Sequence, residues 1–105
     1  MRKVTKKKPE KLANVLQAIR ECIEQEKIQF SKYALDRAKE RGIDIYTSIY
    51  VLQNGYEEKR KTIFDKDNNS WKYAIRGKTV DELDIRIIVV IDEYGVAVIT
   101  VMHVL

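Results

Sequence analysis

The side chains in this chain best suited to chemistry are cations. Lys59, Arg60 and Lys61 stand in one run, Lys72 and Arg76 follow four residues apart, and Arg86 interrupts the apolar stretch Ile85 to Ile91. One histidine, His103, lies near the end of the sequence. No spacing of Ser, His and Asp, or of Cys and His, suggests a nucleophilic triad, and no glycine-rich loop suggests a nucleotide site. One His and one Cys among scattered carboxylates give no metal-ligand set. Cations without a metal or cofactor suit the cleavage of RNA. There the neighbouring 2′-OH is the nucleophile, and the protein supplies a base, an acid and positive charge for the phosphorane.

That chemistry suggests roles. Lys59, Arg60 and Lys61 would open one strand, with Lys72 and Arg76 beside them on the next, forming a phosphate-binding face. An ordinary solvated sheet face is the competing reading. A guanidinium at Arg86, inside an apolar strand, must find acceptors or face a polar cleft. It would either stabilise phosphate or pair with Asp84, Glu82 or a helix carboxylate. His103 is a candidate acid or base because its unperturbed pKa lies near neutrality, or else a rim residue. Arg37 and Arg41, one helical turn apart, would hold RNA or pair with Asp36 and Glu40. Tyr56 and Tyr73 would stack bases or belong to the core. Cys22 reads as a buried spacer beside an apolar stripe.

Helices come first in the elements that must position these groups. Pro9 suits a first helical turn, and Leu12, Val15, Leu16, Ile19 and Ile23 then form one stripe. Ser31 caps a second helix, with Phe30 and Leu35 as a hydrophobic staple, Leu35 and Ala38 as its buried face and Gly42 as its stop. Asp44 caps a third, with Ile45, Ile49 and Leu52 inward and Gly55 closing it. Beyond Gly55 the pattern alternates, predicting strands over 59–64, around 71–76, over 85–91 and over 96–104. The third is nearly all β-branched, which predicts a central strand covered on both faces. The expectation is an α+β domain with its N-terminal helices packed on a curved, mainly antiparallel four-stranded sheet.

A chain of 105 residues has room for one domain. The apolar stretches are too short for a membrane helix, and the basic N-terminus has no apolar segment after it. Cytoplasm is the default. The net charge of +4 is unevenly spread: residues 1–11 carry +5, residues 12–55 balance, residues 56–78 carry +3 and residues 79–105 carry −4. Residues 1–8 therefore read as a basic flexible arm, able to add phosphate affinity by counterion release, on a single domain spanning 9–105.

The run FSKYALDRAKERG over 30–42, the short helix ending at Gly55, then WKYAIRG, IRIIVVI and VAVITV resemble a bacterial family called domain of unknown function 4258. The resemblance covers about residues 28–104, and Arg37 and Arg41 fit its pattern. That family is similar in its order of elements to the MqsR and BrnT toxins, ribonucleases of the RelE-like superfamily that cut mRNA and are neutralised by an antitoxin. The resemblance implies a RelE-like fold, mRNA or ribosome-associated RNA as substrate, a small antitoxin as partner and no cofactor. An MqsR-type site combines a basic residue on the first strand, a glutamine after a tryptophan and a tyrosine opening the third strand. Arg60, or Lys59 or Lys61, matches the first; Lys72 follows Trp71 where the glutamine would be, and Asp84 stands near the tyrosine position. The expected site has Arg60, Lys72, Arg86 and His103 as catalytic groups, with Lys59, Lys61, Arg76, Arg37 and Arg41 binding RNA. A non-catalytic module binding RNA or protein on the same scaffold is the alternative.

Overall fold

The computed structural model describes residues 7–105. Of the expected arm over 1–8, residues 1–6 lie outside the described residues. Lys7 and Lys8 belong to a segment docked against β4 and the turn before it. The Asn69 amide donates to the Lys7 carbonyl at 3.3 Å, the Trp71 indole N–H to the Pro9 carbonyl at 2.8 Å, and the Leu12 N–H to the Tyr73 hydroxyl at 2.9 Å. Lys8 Nζ lies 4.8 Å from the centre of the Trp71 ring, a cation–π contact. Those anchors correct the expectation that Pro9 opens the first helix. Helix α1 runs Val15–Glu24, and the Asn14 side chain accepts from the Gln17 N–H. Val15 and Ile19 are buried; Leu12 precedes the helix and is exposed.

Helix α2 spans Lys32–Glu40 and is capped as expected by Ser31, whose hydroxyl accepts from the Ala34 N–H. Its buried positions are Ala34 and Ala38, whereas Leu35 is exposed. Alanines keep the helix close to the sheet, and Leu35 sits one residue round from that line. Gly42, at φ 69°, lets the chain leave the helix. Helix α3 spans Ile45–Asn54 with Asp44 as its cap. Ser48, Val51 and Leu52 face inward, while Ile45 is exposed.

Among the described residues, six strands form one mixed sheet: β1 Ile28–Phe30, β2 Tyr56–Glu57, β3 Ile63–Asp65, β4 Ser70–Lys78, β5 Asp84–Asp92 and β6 Gly95–His103. Their order is β1-β6-β5-β4-β2, with β3 also paired to β4. The long strands are antiparallel as expected, but the sheet has two more strands than four, and β1 runs parallel to β6. At two and three residues, β2 and β1 are too short to show an alternating pattern. The strand expected over 59–64 is mostly absent: Lys59–Lys61 form a 3-10 turn and only Ile63–Asp65 pairs. There the edge of β4 bonds to a turn, with the Glu58 N–H donating to the Ala74 carbonyl and the Ala74 N–H to the Thr62 hydroxyl.

Helices α1, α2 and α3 pack on one face. Val15, Ile19, Ala34, Ala38, Val51 and Leu52 form one core with Ile75, Ile87, Val89, Val98 and Val101. Strand β5 is central, yet only one of its faces is covered. Ile85, Ile87 and Val89 are fully buried, while Arg86, Ile88 and Val90 on the reverse face are half-buried. A bulge shifts the β5–β6 register between Ile88 and Val89 and leaves Ile99 unpaired. The Ser31 hydroxyl reaches the carbonyl of Ile99 at 3.3 Å, so one side chain caps α2 and ties it to the bulge. Ser31→Ala is expected to cost about 1–2 kcal/mol, measured as a shift in the urea midpoint at unchanged m-value.

Candidate functional site on the helix-free face

Strands β4 and β5 set Arg76 directly opposite Arg86, both on the face that, among the described residues, no helix covers. Like charges opposed across strands repel, so the pair needs an anion between them. Glu58 supplies it. Its Oε2 accepts from Arg76 Nη1 at 2.9 Å and from Arg86 Nη2 at 3.1 Å, and its Oε1 accepts from Arg86 Nε at 2.5 Å. Asp84 closes the far side, with Oδ2 accepting from Arg76 Nη2 at 2.8 Å and Oδ1 from its Nε at 3.1 Å. Two guanidinium and two carboxylate groups thus form a network without net charge. Its members keep contact with solvent, the side chains of Arg86, Glu58, Arg76 and Asp84 being 17, 15, 28 and 28% exposed.

The electrostatics follow the contacts. The hydrogen bond from Arg86, with that from Arg76, holds the Glu58 carboxyl down at about 2 against partial burial. Arg76 holds Asp84 below the usual carboxylate range, and each arginine is raised by the carboxylates it touches. Glu58 enters from the sheet edge, at the start of the 3-10 turn, while both arginines stand on long strands.

The remaining sequence-predicted groups do not join this network. Lys72, on the same strand face as Arg76, pairs with Asp65 at 3.2 Å. Lys59, Arg60 and Lys61 are exposed on the turn and, among the described residues, none forms an ion pair. His103 lies opposite the buried Ile85, hence on the helix face, and its Nε2 is 2.8 Å from the Arg41 carbonyl oxygen. Arg41 donates to the Val101 carbonyl. Arg37 pairs with Glu40 at 3.0 Å and lies over the Tyr33 ring. The expected single site is therefore divided: Arg86, Arg76 and Lys72 on one face of the sheet, His103, Arg41 and Arg37 on the helix side. Tyr73 is core, Tyr56 is exposed opposite Arg76, and Cys22 is half-buried against the core.

Sequence reasoning missed Glu58 and named only Asp84, Glu82 or a helix carboxylate as partners of Arg86. The available signal was the acidic pair Glu57-Glu58 immediately before the basic run 59–61. Among the described residues, no group of three His, Cys, Asp or Glu side chains could hold a metal ion, and no helix is long and apolar enough to cross a membrane.

These features define a small α+β protein with helices on one sheet face and an arginine–carboxylate cluster on the other. The chain belongs to the family described as domain of unknown function DUF4258, whose model matches residues 30–103. That span contains the whole cluster and leaves out α1 and the docked N-terminal segment. No curated protein and no solved structure matches the chain.

Proposed function

We propose that this chain is a metal-independent endoribonuclease toxin of a toxin–antitoxin pair, a cytoplasmic protein of RelE-like kind that cuts mRNA from its helix-free sheet face. One observation supports the reading most: Arg76, Arg86 and Glu58 converge there, offering cations for a phosphorane and a carboxylate as base. The ribose 2′-OH gives its proton to Glu58, and O2′ bonds to phosphorus while the P–O5′ bond breaks. The departing O5′ takes a proton from water, and Glu58 returns its own to solvent. The product carries a 2′,3′-cyclic phosphate. Arg60, exposed two residues after Glu58, would add a cation beside the neutral cluster, and Lys72 stands on the same face of β4 as Arg76. His103 takes no part in the step, because it lies on the other side of the sheet.

Induced expression is expected to arrest growth, and the double change Arg60→Ala and Arg86→Ala to relieve it. With purified protein, the double variant should cut RNA about 10²-fold or more slowly, read from the yield of cyclic-phosphate ends. Normal growth under high soluble expression of the unaltered chain would count strongly against a toxin. A second reading is a non-catalytic module that binds RNA or a protein partner on the same face. The complete pairing of Arg76 and Arg86 favours it, and it predicts RNA binding without cyclic-phosphate ends.

A further inference from the structure

The groove between α2 and α3, lined by Leu35, Ala38, Ile43, Ile45 and Tyr46, is apolar but shows nothing of what would cover it. The helix-free cluster shows more, because its own contacts specify a ligand. Arg76 and Arg86 form a fork whose mouth holds one monoanionic group with two equivalent oxygens, and that group is the Glu58 carboxylate. A phosphodiester is also monoanionic and also offers two non-bridging oxygens to a guanidinium fork. We infer that Glu58 is a built-in, displaceable stand-in for an RNA phosphodiester, so that the arginine slot is self-occupied at rest and opens by exchange of one anion for the other. This rests on the proposed reading in taking RNA as the source of the phosphate.

Three features suit exchange. The arginines are fixed on two adjacent long strands, whereas Glu58 belongs to a turn at the sheet edge. The slot is in contact with solvent. Between the two arginines a phosphodiester replaces one single negative charge with another, and Asp84 continues to hold Arg76 from its far side. Displaced from the arginines, Glu58 regains ordinary carboxylate basicity beside the phosphate it has admitted, which makes it a better base with substrate bound than without.

The test compares the unaltered protein with Glu58→Gln, which keeps the shape and removes the competing charge. The probes are inorganic phosphate, a short single-stranded RNA and the same sequence as DNA. Glu58→Gln is expected to bind phosphate and RNA at least about tenfold more tightly while losing RNA cleavage. Equal gains for RNA and DNA would still support the slot, since the phosphodiester is shared. Affinity unchanged or weakened for all three probes would overturn it. In the unaltered protein, the Nε–H resonances of Arg76 and Arg86 should move together on titration with phosphate. Resonances that stay fixed at saturating RNA would overturn the exchange even if the variant failed to fold. Tighter binding by Glu58→Gln, with no cleavage by the unaltered protein, would keep the anion slot and remove the ribonuclease reading.

Discussion

Replacing Gly95 by alanine is expected to lower the melting temperature by roughly 10–25 °C, at about 4 °C per kcal/mol for a domain of this size. Gly95 follows the turn after Asp92 and starts β6 at φ 121°, a conformation that L side chains rarely adopt. It also lies where β1 joins the sheet. The parallel register sets Ile28 beside Val96, and the Val96 N–H donates to the Lys27 carbonyl at 2.9 Å. A Cβ on residue 95 would stand 2.2 Å from that carbonyl oxygen and 2.7 Å from the Lys27 Cβ. The nearest obstacle is backbone, so relief requires moving β1 away from β6. Backbone strain of about 1–3 kcal/mol adds to overpacking of about 1–3 kcal/mol. Thermal melts followed by far-ultraviolet circular dichroism would measure the loss. A variant melting with the unaltered protein would mean that β1 is not seated against β6 in this way.

The long elements were legible in the sequence because each has its own period. Ser31, Asp44 and Gly42 mark helix ends through local hydrogen bonds and backbone geometry, and the structure uses all three as expected. Strands β4, β5 and β6 show as alternating or β-branched runs. The failures occur where partners distant in sequence decide. Trp71 and Tyr73 tether residues 9 and 12 outside the helix, so α1 begins later than its apolar stripe suggests. The edge of β4 replaces half of an expected strand with a turn. That turn also brings Glu58 across the sheet edge onto Arg76 and Arg86, 18 and 28 residues away. The arginines announced themselves as charges in apolar or alternating runs. Nothing local in the sequence says which carboxylate meets them, and the two-sided placement of His103 and Arg86 depends on a register that is visible only once β5 and β6 pair.

Arg86→Ala is expected to cost about 1.5–3 kcal/mol at neutral pH, less than the about 3–5 kcal/mol of breaking a fully buried pair. Two features reduce the loss: the Arg86 side chain is 17% exposed, and Glu58 keeps its contact with Arg76. The cost should depend on pH, and the sign follows from Glu58. Its folded pKa of about 2 lies below the ordinary 4.5, so its ionisation stabilises the fold above 4.5, and that contribution is lost as pH falls toward 2. Arg86 is the largest cause of the depression. Without it the carboxyl returns toward 4.5, and the variant has less left to lose in acid. Urea unfolding of both proteins at pH 7 and near pH 2.5 should therefore show their stability difference narrowing in acid. A difference that stays constant with pH would mean that Arg86 stabilises the fold by packing its alkyl stem, not through Glu58. Combining Arg86→Ala with Glu58→Gln isolates the pair, because the double variant leaves no carboxylate at residue 58 without its Arg86 partner. If the ion pair carries the stability, the double variant should be less destabilised than the two single losses added together. It would also supply a folded background in which lost RNA cleavage reflects lost chemistry.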